Sequence, residues 1–228
     1  PLNAVIGLSE IEAAAATGAS RKRLRTVVTS ARDLAVMLDD AVDYSAITEG
    51  RVTVTPRPVS VPAELLGNLL AFELQARKQG RDLVVTVDAN MPDVLMIDGQ
   101  RVRQCLGNMI GNALKHTSHG PVAVQVRHAK GRLVIDVADE GPGIPQESHE
   151  KVFEPFYRGS SGTPGVGLGL AISRAVARQM AGDLVVVPSV RGATFRLTVQ
   201  APEAEAATER KGAADFRIAA QWQLRHAT

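Results

Sequence analysis

Three short stretches carry residue types suited to holding a polyphosphate and a base. In the run Asn108-Met109-Ile110-Gly111-Asn112-Ala113-Leu114-Lys115-His116, two carboxamides and a lysine recur at four- and three-residue steps. At about 100° per residue Val102, Leu106, Met109 and Ala113 share one helical face, and Asn108, Asn112 and Lys115 fall on the flank beside it. Amide oxygens suit a hard cation and an ammonium suits phosphate oxygens, so this flank fits a metal-bound polyphosphate. Capping or surface amides would give the same spacing, which makes the motif moderately specific by itself. Asp139-Glu140-Gly141-Pro142-Gly143-Ile144 follows an apolar, strand-like run. Two glycines one residue apart let the backbone approach a ligand, and a carboxylate at a strand end can accept a hydrogen bond from an exocyclic amine. Taken alone, a tight turn accounts for this motif better. Gly165-Val166-Gly167-Leu168-Gly169-Leu170 opens a helix, where unpaired N–H groups and the helix dipole favour phosphate. It lacks the Gly-Lys-Ser/Thr of a P-loop, and it follows a loop instead of the first strand of a dinucleotide fold.

These motifs need elements to position them. Leu2, Val5, Ile6, Leu8 and Ile11 keep helical spacing, residues 13 to 20 are small and suit a turn, and Leu24 to Val42 repeat apolar residues at three- and four-residue steps. The two helices form a hairpin with more apolar surface than it can cover, which predicts a homodimeric, antiparallel four-helix bundle. The helical period stops at Ile47 to Gly50, and two prolines, Pro56 and Pro58, between Arg51 and Val61 mark a domain boundary. Ser60 can cap a helix with Pro62 in its first turn, whose buried face would be Leu65, Leu66, Leu69, Leu70 and Leu74. The spacing then predicts strands at 83–87, 122–126, 133–138, 184–187 and 193–199, helices at 100–116, 146–153 and 167–181, and a Gly/Ser-rich loop at 158–164. Such a pattern implies a mixed sheet with helices on one face. From Ala201 the chain becomes Ala- and Glu-rich and reads as a linker or tail, in which Phe216, Ile218 and Trp222 could form only a short amphipathic helix.

Composition narrows the classes. With 228 residues, 45% hydrophobic and 22% charged, the chain can bury a sizeable core and matches globular usage. No apolar run reaches the ~20 residues of a bilayer span. Lys and Arg number 26 against 24 Asp and Glu, without a basic block, which disfavours nucleic acid. The single cysteine, Cys105, cannot form an internal disulfide, and the start Pro1-Leu2-Asn3 lacks a signal-type pattern or an initiating Met, so the chain reads as a cytosolic fragment. Redox sensing by Cys105 and metal ligation by the scattered histidines find no support in spacing.

In order, Asn108-x-x-x-Asn112-Ala113-x-Lys115, Asp139-x-Gly141-x-Gly143-Ile144, Phe153-Glu154-Pro155-Phe156 and Gly165-x-Gly167-Leu168-Gly169-Leu170 resemble the N, G1, F and G2 boxes of sensor histidine kinases. Pro1 to Gly7 is similar to the downstream half of the H box, and Asp40 to Gly50 to the end of the family's dimerisation hairpin. The resemblance covers residues 1 to 200 and implies an α+β chain. Residues 1–50 would be a dimerisation and histidine-phosphotransfer hairpin, 51–200 an α/β-sandwich ATP-binding domain of the Bergerat type, and 201–228 a linker or tail. It implies ATP and Mg²⁺ as cofactors, with Asn112 as Mg²⁺ ligand, Asn108 in support and Lys115 on the phosphates. His116 would stand beside the adenine or ribose, Asp139 would accept from the adenine amino group, and Gly141, Gly143 and Ile144 would lie against the base. Thr194 resembles a polar residue supporting Asp139. Phe153 and Phe156 would anchor a nucleotide lid, with ordinary core packing as the competing account, and Arg158 would meet the phosphates. Gly165, Val166, Gly167, Leu168, Gly169 and Leu170 would complete the phosphate side.

The same resemblance places the accepting histidine five residues before Pro1, and none of His116, His119, His128, His149 or His226 has the H-box surroundings. The expectation is a histidine kinase core that binds ATP here and whose acceptor lies upstream, passing phosphate to an aspartate of a response-regulator receiver domain. Its partners would be a second copy, through residues 1–50, and that receiver, with no nucleic acid and no membrane contact within the chain. It would face the cytoplasm, with any membrane anchor upstream. A nucleotide-sensing docking module without chemistry is the alternative. A Bergerat-type ATPase is less favoured, because Asn108 stands where those enzymes resemble one another in carrying a water-activating Glu, and a carboxamide cannot take a proton at neutral pH.

Overall fold

A computed structural model describes residues 2–51, 53–67, 69–117, 119–159 and 166–204. The chain divides into two compact units at Arg51/Val52. The first is a helical hairpin of α1 (Leu2–Ala15) and α2 (Gly18–Thr48). The small-residue stretch expected to turn at 13–20 stays helical through Ala15, since alanine is the best helix former, and the reversal is confined to Ala16 and Thr17. Ala13, Val28 and Ala31 are buried between the helices, while Leu8, Ile11, Leu34, Leu38 and Val42 stay exposed within the single chain. The salt bridge between Arg32 and Glu10 ties the two helices together.

The second unit is a mixed five-stranded sheet in the order β2-β4-β5-β7-β6, with β2 (Leu83–Val87), β4 (Val122–Ala129), β5 (Arg132–Ala138), β6 (Asp183–Val187) and β7 (Thr194–Gln200). Only β2 and β4 run parallel; β4–β5 and β6–β7 are consecutive antiparallel pairs, and β7 also lies antiparallel beside β5. The alternation expected of residues 122–126 is present, with Val122, Val124 and Val126 fully buried and Ala123 and Gln125 exposed. A small second sheet, β1 (Arg57–Ser60) against β3 (Val94–Ile97), escaped the sequence reading. Both strands are four residues long, and Pro58 interrupts one of them, which leaves little periodicity to read.

Helices α4 (Gly99–His116) and α5 (Gly169–Gln179) pack together and against the sheet. Asp98 caps α4 by accepting the Arg101 N–H at 3.1 Å, and Val102, Leu106, Met109, Ile110, Ala113 and Leu114 are buried along its inner face. Each larger one contributes roughly 1.5–3 kcal/mol, which fixes the rotation of the helix and so the direction of its polar flank. Ser60 caps the next element as expected, accepting the Ala63 N–H at 3.4 Å. That element is a wide turn, Val61–Leu66, followed by α3 (Leu69–Lys78), and not one continuous helix. The break rotates the expected apolar stripe, so Leu65 and Leu69 are buried while Leu70 and Leu74 are exposed. Residues 146–153 form two short 3₁₀ turns, Gln146–Ser148 and Lys151–Phe153, in place of one helix.

Candidate nucleotide site

The site begins where β5 ends. Asp139 is 6% exposed, and its Oδ1 accepts the N–H groups of Gly141 at 2.8 Å and Ala193 at 3.2 Å. Burial pushes its carboxyl above the usual carboxylate range, against the pull of those two N–H groups and of His116. The close backbone approach expected at Gly141 is real, but its neighbours belong to the chain itself. A Cβ there would lie 2.9 Å from both Asp139 Oδ1 and the His116 carbonyl oxygen. Gly192 matters as much and escaped the sequence reading. It has φ +61°, and a Cβ on it would overlap the Asp139 carbonyl. The β6–β7 turn and the loop after β5 thus close around one carboxylate. The polar support comes from the Ala193 backbone, while the neighbouring Thr194 pairs with Ala138 at the start of β7. Gly143, at φ +76°, and the half-buried Ile144 continue the loop, and the Ile144 carbonyl lies 3.0 Å from His149 Nε2.

The flank of α4 supplies the second wall. His116 lies near enough to Asp139 for their charges to interact, and burial together with the Lys115 charge holds its ring below the usual histidine range. Packing and the nearby Arg158 guanidinium likewise hold the Lys115 ammonium below the usual lysine range. Two cations brought close together from separate elements form a location suited to an anion. Asn112 is half-buried and makes no side-chain hydrogen bond among the described residues, leaving its amide oxygen available. Asn108 has a different part. Its Nδ2 donates to the Gly169 carbonyl at 3.0 Å and to Ser173 Oγ at 2.9 Å, bracing α4 against the start of α5. Ser173, fully buried, is a site-supporting residue with no signal in the sequence beyond a hydroxyl on a helix.

Between these walls the chain narrows at the base of a loop. Phe156 N–H donates to the Gly167 carbonyl at 3.0 Å, pinning the two ends of the segment 157–166. Phe156 itself has φ +65°, a left-handed conformation that costs a side-chain-bearing residue roughly 1–2 kcal/mol, and is 59% exposed. Gly167 has φ +79°, and a Cβ there would come within 2.7 Å of the Tyr157 carbonyl. Of the two expected anchors Phe153 is the buried one. It meets Phe195 edge-on at 6.2 Å between centroids, and the Arg174 guanidinium sits 4.6 Å above its ring. Arg174 also donates to Glu150 at 2.6 Å and Asp183 at 3.1 Å, fastening the loop base to α5 and β6. Val166 and Leu170 are half-buried and Leu168 is buried, 3% exposed, at the head of α5. Gly165 and most of the Gly/Ser-rich loop, like the Phe216 to Trp222 segment, lie outside the described residues.

The residues present fit a nucleotide. A buried carboxylate lies near an imidazole, and two neighbouring cations lie by the end of α4. Among the described residues no group of three His, Cys, Asp or Glu side chains could hold a metal. A divalent cation here would therefore depend on Asn112, phosphate oxygens and water, as Mg²⁺ sites on nucleotides commonly do.

Residues 97–203 match the family model described as "Histidine kinase-, DNA gyrase B-, and HSP90-like ATPase". Over 212 residues the chain is 36% identical to the aerobic respiration control sensor protein ArcB of Escherichia coli K12, covering 89% of this chain and 27% of ArcB. It is 33% identical over 196 residues to the sensory/regulatory protein RpfC of Xanthomonas campestris pv. campestris, covering 81% of this chain and 27% of RpfC. The chain thus spans about a quarter of the length of these curated relatives. Full-length ShkA, solved in complex with AMPPNP, superposes with a TM-score of 0.76 at 26% identity, covering 100% of this chain and 51% of ShkA. The Acinetobacter baumannii histidine kinase AdeS shares the fold, with a TM-score of 0.64 at 19% identity, covering 81% of this chain and 85% of that one.

Proposed function

The chain belongs to the sensor histidine kinases, and on that premise we propose that its second unit binds ATP with Mg²⁺ and donates the γ-phosphate to a histidine of the dimerisation hairpin. The observation that carries the reading is the buried Asp139 carboxylate, held by Gly141 and Ala193 N–H groups, with His116 near it, Lys115 next to His116 and Arg158 close to Lys115. A buried, unneutralised carboxylate is costly to the fold, so a ligand that donates a hydrogen bond to it is the natural occupant. The adenine amino group is such a donor, with Gly141, Gly143 and Ile144 against the base, Thr194 on β7 beside the Asp139 carboxylate and His116 beside the adenine or ribose.

Lys115 and Arg158 would hold the phosphates, with Val166, Gly167, Leu168, Gly169 and Leu170 closing the site behind them. Asn112 would ligate Mg²⁺, and Asn108 would keep α4 and α5 in register. The bound ion would supply neutralisation of phosphate charge. The transfer itself forms one bond and breaks another. An imidazole nitrogen bonds to the γ-phosphorus, the bond from that phosphorus to the bridging oxygen breaks, and ADP leaves with the electron pair. Such a step needs positioning and charge balance more than a strong base, because neutral imidazole is already nucleophilic near pH 7.

The apolar residues Leu8, Ile11, Leu34, Leu38 and Val42, exposed in the single chain, favour a homodimer through residues 1–50. The onward acceptor would be an aspartate on a response-regulator receiver. No helix among the described residues is long and apolar enough to cross a membrane; a cytoplasmic setting is part of the same proposal. The test is transfer from γ-labelled ATP with Mg²⁺, on this chain and on one extended upstream through the expected histidine. Acid-labile, base-stable label on the extended chain alone is the expected result. Mg²⁺-dependent ATP binding without label on either chain would replace the kinase by a nucleotide-sensing docking module.

A further inference from the structure

Strand β3 has a neighbour on each edge. On one side lies β1, the strand by which the chain enters the second unit. On the other the chain returns after β7, where Leu95 bridges Glu203, Met96 N–H donates to the Pro202 carbonyl at 2.8 Å and Ala204 N–H to the Val94 carbonyl at 3.1 Å. The approach to that edge is held too. Gln200 N–H donates to the Met180 carbonyl at 3.0 Å, Ala201 N–H to the Gly131 carbonyl at 2.8 Å, and His128 Nε2 lies 2.8 Å from the Ala201 carbonyl. Ala201 is fully buried and the His128 side chain is 7% exposed. Residues from 201 onward have no period of their own and are expected to be a linker. Residues 202–204 instead bond along the outer edge of β3 through one bridge, making a short ribbon with β1 and β3.

From β3 the chain runs through Asp98 directly into α4. Asp98 caps that helix, and its Oδ2 also accepts the Thr55 N–H at 3.0 Å and the Thr55 hydroxyl at 3.4 Å, so one buried carboxylate joins the entering segment to the helix start. In the first turn Gly99 lies so close to Val59 of β1 that a Cβ would stand 3.1 Å from it. Arg103 Nη1 donates to the Glu64 carbonyl at 3.3 Å. Ribbon and first turn are therefore one packed body. A helix packed along its inner face moves as a unit, and at about 1.5 Å per residue it carries a displacement of Gly99 to Asn112, about 20 Å away.

We propose that residues 201–204 are a strap whose seating on β3 sets the nucleotide affinity of the α4 flank, with Asp98 as the positioning residue between them; the inference rests on reading that flank as the nucleotide site. Asp98 acts through α4 and touches no ligand. A load on the chain beyond Ala204 unseats the strap and weakens nucleotide binding, and bound nucleotide tightens the strap in return, since coupling between two sites is reciprocal.

Amide hydrogen exchange and AMPPNP titration on the whole chain test this, with Ala204→Pro, which deletes the N–H given to Val94, and His128→Phe, which keeps the ring volume and removes its bond to Ala201. The Met96 amide reports the strap, and the amide of Ile135 in the central strand β5 reports the fold. The expected result is a protected Met96 amide in the parent, further slowed by AMPPNP. In the variants that amide exchanges roughly tenfold faster, with Ile135 unchanged. The AMPPNP dissociation constant rises about 5-fold or more, in the order of Met96 exposure. Faster Met96 exchange with an unchanged dissociation constant overturns the coupling alone. A Met96 amide unprotected in the parent overturns the strap. A protected Met96 amide in a parent that binds no AMPPNP overturns the site reading, and the coupling with it.

Discussion

Replacing Asp139 by Asn separates what this side chain does for the fold from what it does for a base. Within the protein it works as an acceptor, taking the Gly141 and Ala193 N–H groups on Oδ1. An amide oxygen in the same place accepts both, and the variant buries no charge. Because the folded-state carboxyl titrates above its unfolded value, its stability contribution is fully present below the unfolded pKa and is lost as pH rises through the folded one. D139N should therefore melt at or above the parent temperature near pH 7, by a margin that shrinks as pH falls. Asp139→Ala is the contrast, since it strands two buried N–H groups at about 1–3 kcal/mol each. At roughly 2–4 °C per kcal/mol for a domain of this size, D139A should melt at least about 4 °C lower. Binding reverses the order of merit for Asn. Its NH₂ would point a donor at the donor of the adenine amine and lose a charge-assisted bond, together about 2–4 kcal/mol, or roughly 30- to 1000-fold in affinity for AMPPNP. In the parent, affinity should fall with acid at a higher pH than an ordinary carboxylate would give. Differential scanning fluorimetry and calorimetric titration measure both halves. A D139N protein that binds AMPPNP like the parent, or melts as low as D139A, would refute the reasoning.

Gly192→Ala forces a Cβ into the Asp139 carbonyl at φ +61°, so it should cost more than the roughly 1–2 kcal/mol of the left-handed conformation alone, visible as a lower urea midpoint and lost AMPPNP binding. Asn108→Ala removes the bonds to Gly169 and Ser173 and should destabilise by about 1–3 kcal/mol in the same assay; an unchanged midpoint would show that α4 and α5 need no polar brace. The Cys105 thiol is fully buried, and burial pushes it up to about 12. At pH 8 it should resist alkylation until urea unfolds the domain, and rapid labelling of the native protein would place it at a mobile surface.

The local chemistry of this protein was legible because it is written in near neighbours. Asn108, Asn112 and Lys115 lie on one flank of α4 since helical spacing puts them there, and the apolar stripe beside them could only face inward. Ser60 as a cap, the alternating Val122, Val124 and Val126, and the β6–β7 hairpin follow from the same short-range rules. The rules failed where two distant segments had to agree. Leu70 and Leu74 were read as buried from a helix that the wide turn at Val61–Leu66 in fact re-phases. The second sheet was invisible because its strands are too short to show a period and are stabilised by each other and by residues 202–204.

The amino-acid order dictates which side chains share a helix or strand face, since that depends on residues a few positions apart. The folded core sets which partners each of them meets. It gave the support of Asp139 to the Ala193 backbone and Gly192, fastened the Asn108 amide nitrogen to Gly169 and Ser173, buried Phe153 while leaving Phe156 outside, and drew residues 202–204 onto β3. Each of these joins segments separated by many tens of residues, and a backbone N–H or carbonyl carries no signature of its partner in the side-chain code. Such contacts exist only once the core has fixed the distance between elements.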